Sequence, residues 1–300
     1  MSEKKNRRSF GNVAFPSAAE DAHRAREVEE TPQTRASAYR LAFTDEEFLL
    51  RNELRPIRLQ LELLKPEMTM LEREIDATIV MFGSARLPDP DKAAEQIAQA
   101  QQLLSDNPDD PAMQRRLEIV EKRASLSTYY EEARRLAAIV GEHYSGTPGK
   151  PRVHVMTGGG PGIMEAANRG ADDVGAESIG LNIVLPHEQH PNEWITPELS
   201  FRFHYFAIRK MHFLMRAKAL VVFPGGYGTL DEFFETLTLL QTQKVKSLPI
   251  LVFGKPFWEQ VLNFDALVDY GMISAEDIHL FTYVDTAEQA WAIIRQHCEN

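Results

Sequence analysis

The sequence predicts an open, doubly wound α/β sheet, mostly parallel and Rossmann-like, with helices on both faces. Three observations predict it. Short apolar runs alternate with helix-length amphipathic stretches from residue 77 onward. Two of these runs end in glycine-rich turns, and each turn opens a helix. Strand, helix and strand in succession imply parallel pairing through right-handed crossovers.

Residues 1–44 are rich in Arg, Glu, Ser and Ala with little apolar periodicity, and read as a disordered, solvated tail. Residues 45–74 read as a helical extension. Thr44-Asp-Glu-Glu is a helix start, and Leu49, Leu50, Leu54, Ile57 and Leu61 recur at helical spacing, so one or two helices should pack on the domain C-terminal to them. Pro56 and Pro66 should interrupt the pattern. Residues 75–300 then read as one nucleotide-binding domain.

Ala77 to Gly83 is a buried strand. Helices are expected over about 91–105 and 111–142, divided by the turn-forming Asp106-Asn-Pro-Asp-Asp-Pro111. Arg152–Met156 and Ser178–Val184 are strands, with the turn Gly158–Gly162 and a helix between them. Leu199–Tyr205 alternates apolar and polar residues, so it is a less buried strand. A helix over 207–217, a strand over 219–223, the turn Gly225–Gly228 and a helix to about Gln243 come next. The remainder reads as strand 248–253, helix 256–270, strand 280–284 and helix 286–297.

Composition excludes several functions. The net charge of −11 argues against a nucleic-acid binder. A single cysteine, Cys298, rules out a disulfide framework or a Cys-based zinc site within one chain. No apolar run is long enough to span a bilayer, and the basic start (Lys4, Lys5, Arg7, Arg8) lacks an apolar segment behind it, so a cytoplasmic protein is expected. His187 and His190 lack metalloprotease spacing, and no metal is expected.

Chemistry concentrates in the glycine loops. Thr157-Gly158-Gly159-Gly160-Pro161-Gly162 and Pro224-Gly225-Gly226-Tyr227-Gly228-Thr229 each join a strand to a helix. Glycines bring backbone N–H groups close to a ligand, and the helix start adds partial positive charge, which together suit a phosphate. Neither loop has the lysine of a Walker A loop or the third glycine of a dinucleotide fingerprint, so a mononucleotide or sugar phosphate fits better. Gly83 and Ser84, after the first strand, can add donors, and Arg86 can pair with phosphate. Asp231 and Glu232 start the second loop's helix. A carboxylate beside a phosphate site is repelled, so Glu232 is the stronger candidate for work at a ribose C1′. Arg209, His212 or Phe213, and Arg216 fall near one helical face, a basic cluster that can face the pocket together with Lys210.

Gly158-Gly-Gly-Pro-Gly-Ile-Met-Glu-Ala-Ala-Asn168, Arg209-Lys210 and Pro224-Gly-Gly-Tyr-Gly-Thr-Leu-Asp-Glu232 resemble the LONELY GUY (LOG) family, whose members were often mislabelled lysine decarboxylases. The resemblance covers roughly 75–285. It implies hydrolysis of the N-glycosidic bond of a nucleoside 5′-monophosphate, AMP-like or a cytokinin riboside monophosphate, to free base and ribose 5-phosphate. It implies Arg209 and Glu232 as the catalytic pair. It also implies that Gly225, Gly226, Gly228 and Thr229 hold the phosphate and that Glu165 meets the nucleotide; read from the residues themselves, Gly83, Ser84, Gly159, Gly160 and Lys210 join them as expected substrate contacts. No cofactor is implied, and a homodimer or higher homo-oligomer is. Asp231, the sequence after Gly160 and the stretch from His187 to Pro197 depart from the plant pattern and bear on the base. The alternative is a carrier or sensor of nucleotide or molybdenum cofactor with the same fold and no turnover.

Overall fold

The computed structural model describes residues 16–144, 151–186 and 190–299. The chain divides into two compact units, 1–61 and 62–300. In the first, helix α1 (Ala18–Arg24) starts at a reciprocal cap in which Ser17 Oγ accepts the Glu20 N–H and Glu20 accepts the Ser17 N–H. This gives local order to part of the segment read as a tail; residues 1–15 of that segment lie outside the described residues. Asp45 caps the one-turn helix α2 (Glu46–Leu49).

Helix α3 (Arg55–Glu72) begins in the first unit and ends in the second. Two expectations fail on it. Pro56 stands in the first turn, where its missing N–H costs nothing, and Pro66 is buried inside a helix that runs on past it. Ile57, Leu61, Leu64, Met68 and Leu71 are all exposed, as is Leu50 nearby. The helical spacing holds, but those apolar residues face outward.

Among the described residues of the second unit, seven parallel strands stand in the order β4-β3-β2-β1-β5-β6-β7. They are β1 (Ala77–Phe82), β2 (Val153–Thr157), β3 (Ser178–Ile183), β4 (Ser200–Phe203), β5 (Ala217–Val222), β6 (Ile250–Phe253) and β7 (Thr282–Val284). The middle strands are buried on both faces, as their continuous apolar runs require. β4 is an edge strand with alternating burial, as its sequence pattern implies.

The helices are α4 (Pro90–Asp106), α5 (Pro111–Ala124), α6 (Thr128–Tyr144), α7 (Ile163–Asp172), α8 (Phe206–Met215), α9 (Tyr227–Gln241), α10 (Lys255–Val261), α11 (Phe264–Asp269) and α12 (Ala287–Glu299). One core holds Leu136, Val140, Ile163, Ala167 and Ile294 of α6, α7 and α12 against one face of the sheet. The other holds Met70, Phe213, Phe233 and Trp258 of α3, α8, α9 and α10 against the opposite face. Two expected single helices are split. The 111–142 stretch breaks at 125–127, where Ser125 Oγ donates to the Lys122 carbonyl and tight turns succeed it. The 256–270 stretch breaks at Leu262, and Asn263 caps the second piece.

The chain builds outward from β1 to β4, then crosses back to lay β5 on β1's other side. That reversal opens a crevice at the carboxyl ends of β1 and β5, where doubly wound sheets take their ligands. No helix among the described residues is long and apolar enough to cross a membrane.

Candidate functional site

Three loops meet at the carboxyl ends of the central strands. Ser84, after β1, ties the other two together: its N–H donates to the Pro224 carbonyl at 3.0 Å, and its own carbonyl accepts the Ile163 N–H at 3.2 Å. Its hydroxyl accepts the Arg86 N–H at 3.0 Å. Arg86 is exposed. Gly83 is required by packing, because a Cβ there would lie 2.6 Å from Ile163. Gly83 and Ser84 thus hold the two glycine loops in register.

The first glycine loop is braced from within. Gly159 has φ +77°, which a side chain rarely adopts, and its N–H donates to Thr157 Oγ1 at 3.0 Å. Asn192 reaches back to the Gly159 and Gly160 carbonyls and to Asn168 Oδ1. Fully buried Asn168 also accepts from Thr157 Oγ1 at 2.7 Å and donates to Ser178 Oγ. Asn168 ends the first loop's motif, and the motif alone assigns it no work; Asn192 lies in the stretch read as bearing on the base. His187 lies outside the described residues.

The second loop is different. Gly225 packs directly on Thr229, which is buried. A Cβ on Gly226 or Gly228 would meet no atom within 4 Å, and neither residue needs positive φ. Packing therefore does not require glycine at these two positions, and the space above them is open at the start of α9. Tyr227 between them is 92% exposed.

Arg209 projects from α8 to the same place. Its Nε donates to the Leu181 carbonyl at 2.8 Å, its guanidinium lies 5.1 Å from the Phe213 ring centre, and a Cβ on Gly158 would fall 2.7 Å from its Nη2. Burial lowers its basicity and the Glu232 carboxylate opposes that shift; the group stays a cation. Glu232, in the first turns of α9, is 7% exposed. Burial raises its pKa to about 7, with Lys210 and Arg209 pulling it down and Glu235 and Asp231 pushing it up.

Lys210, expected to hold substrate, is already engaged. Its Nζ lies 2.9 Å from both Asp231 and Glu235. Burial would lower its pKa, but these carboxylates raise it on balance. It bridges the two residues that flank Glu232 one place before it and one turn after it. Glu165 is also partnered: the Tyr130 hydroxyl donates to it at 3.2 Å and Lys92 Nζ lies 3.5 Å away. Burial, then the Glu165 charge, pushes Tyr130 to about 12. Sequence reading missed Lys92; only the Asp89-Pro-Asp-Lys92 helix start pointed to it. The basic cluster expected on α8 does not assemble. His212 and Phe213 are buried, and Arg216 pairs with Glu67 and donates to the Ile75 carbonyl, beside the start of β1 and away from the glycine loops. Among the described residues no group of three or more His, Cys, Asp and Glu is placed to hold a metal.

Residues 164–294 match the family described as possible lysine decarboxylase. Two curated relatives are the Arabidopsis thaliana proteins named cytokinin riboside 5′-monophosphate phosphoribohydrolase LOG2 and LOG4. LOG2 is 25% identical over 147 residues, covering 48% of this chain and 67% of that protein. LOG4 is 29% identical over 140 residues, covering 45% of this chain and 63% of LOG4. The sequence likeness is to the LONELY GUY family. A solved structure of the molybdenum cofactor carrier protein from Chlamydomonas reinhardtii is similar at 16% identity and a TM-score of 0.41, covering 75% of this chain and 98% of that one. The matched family segment takes in both Arg209-Lys210 and the loop from Pro224 to Glu232.

Proposed function

We propose that the protein hydrolyses the N-glycosidic bond of a nucleoside 5′-monophosphate, releasing free base and ribose 5-phosphate. The observation that carries this reading is Glu232: a buried carboxyl with a pKa near 7, one turn from open glycines and within electrostatic reach of Arg209. The open backbone at Gly226 and Gly228 and the start of α9 take the 5′-phosphate. Glu232 as carboxylate supports positive charge developing at C1′ and orients the attacking water, for which a pKa near the working pH is suited. Arg209 orients the nucleotide by its guanidinium fork and stabilises negative charge as the bond breaks. Ser84, Gly159 and Asn168 keep the loops in place, and Lys210 balances the carboxylates around Glu232.

A lysine that forms a Schiff base needs a lowered pKa. Lys210 has a raised one, which speaks against decarboxylase chemistry at this site. A homodimer or larger assembly in the cytoplasm completes the proposal. The exposed Leu64, Met68 and Leu71 of α3 and Met211 and Met215 of α8 give it an apolar surface. Sedimentation showing only monomer at micromolar concentration would refute that part.

The test is product chromatography with AMP, GMP, CMP, IMP and isopentenyladenosine monophosphate, each beside its nucleoside, with Glu232→Gln as control. Base from the monophosphates alone, lost in the variant, supports the reading and ranks the bases. Tight binding with no base released favours a carrier or sensor.

A further inference from the structure

Helix α3 precedes the matched family segment and the resemblance, yet it is joined to the helix that carries Arg209 and Lys210. α8 has no cap of its own, for Tyr205 at its N-cap position makes no side-chain hydrogen bond there. Glu62 of α3 supplies one. Its two carboxylate oxygens accept the His204 N–H at 2.8 Å and the Tyr205 N–H at 3.1 Å. A carboxylate at this end of a helix satisfies orphan donors and meets the positive end of the dipole. At the far end of α8, Glu67 pairs with Arg216 and lies 3.5 Å from His212 Nδ1. Carboxylates five residues apart on α3 thus engage both ends of α8, and Met70 and Phe213 share the core beneath.

The link reaches Arg209 directly. The Tyr205 carbonyl accepts the Arg209 N–H at 3.2 Å, and Arg209 Nε in turn donates to the Leu181 carbonyl at the end of β3. The backbone of the guanidinium-bearing residue is therefore held through Tyr205 by Glu62, and its side chain by the sheet. Resting on the function proposed above, we infer that Glu62 is a positioning residue for the hydrolysis, fixing the first turn of α8 so that Arg209 keeps its place against Glu232. Both Glu62 carboxylate oxygens are occupied by backbone N–H groups. It gives the α3 extension a share in catalysis that neither glycine loop supplies.

The experiment uses the full chain with Glu62→Ala and the milder Glu62→Gln, which keeps one acceptor oxygen. Small misplacements of a catalytic group cost rate steeply. We expect Glu62→Ala to lower kcat on the best nucleotide about tenfold with KM changed less than about threefold, and Glu62→Gln to fall between it and the wild type. In an Arg209→Lys background the Glu62→Ala loss should shrink to less than about twofold, because its target is already displaced. Amide exchange should accelerate at His204, Tyr205 and Arg209. A wild-type kcat in Glu62→Ala, or an undiminished loss in the Arg209→Lys background, overturns the inference. Should the wild type release no base from any nucleotide, the proposed hydrolysis fails. Exchange then decides the brace alone, and unchanged protection at those three amides refutes it.

Discussion

Replacing Glu232 by Gln should stabilise the protein, and by an amount that depends on pH. In the folded chain this carboxyl has a pKa of about 7, against an ordinary 4.5. The folded state therefore binds its proton more tightly than the unfolded chain does. A group of this kind favours folding below pH 4.5, and that contribution is lost as pH rises through 4.5 to 7. The shift of about 2.5 units corresponds to about 3 kcal/mol at 1.36 kcal/mol per unit. The glutamine is neutral throughout and carries no such penalty. Urea denaturation of both proteins at about pH 5 and pH 8 isolates the effect, since other mutational differences are common to both pH values. The variant should gain up to about 3 kcal/mol relative to wild type at pH 8 compared with acid, while losing base release. A stability difference that does not change with pH would refute the assignment of a raised pKa to Glu232, and with it the electrostatic account of the site.

Three further outcomes rest on the same geometry. Lys210→Met removes a cation that lowers the Glu232 pKa and leaves Asp231 and Glu235 without their bridge, so the rising limb of the pH–rate profile should move upward by about one unit; an unmoved limb would contradict this. Gly226→Ala should leave urea stability within about 0.5 kcal/mol yet weaken nucleotide binding measured by calorimetry, whereas Gly159→Ala, at φ +77°, should cost about 1–3 kcal/mol of folding. Asn168→Ala should destabilise by about 3 kcal/mol in the same denaturation assay, because Thr157, Ser178 and Asn192 all lose a buried partner.

Much of the sheet was legible because buried parallel strands are written as unbroken apolar runs, as in Ala77–Phe82 and Ile250–Phe253. Helix breaks were less so. Ser125 and Asn263 act through local side-chain hydrogen bonds, which leave little trace in periodicity. The outward face of α3 was illegible, since spacing gives the stripe and not the direction it points. At the site, Arg209 and Glu232 lie within electrostatic reach of each other. Lys210 and Glu165 proved to be bonded to other residues, a matter of contacts between elements far apart in sequence. Glycines divide in the same way: sequence shows them alike, while packing separates Gly83 and Gly225, which hold the loops, from Gly226 and Gly228, which leave space. Glu62 gave no signal at all, because its partners are backbone N–H groups at the start of a helix far along the chain.

In the proposed reaction water attacks C1′ of a bound nucleoside monophosphate. Incubating the protein in heavy-oxygen water with each of AMP, GMP, CMP, IMP and isopentenyladenosine monophosphate, and measuring the product masses, is the sharpest test. At least one of them should give free base in equal amount to ribose 5-phosphate, with one heavy oxygen in the sugar at C1, from wild type and not from Glu232→Gln. All five recovered intact, or a sugar phosphate without the label after allowance for exchange at its anomeric carbon, would refute it.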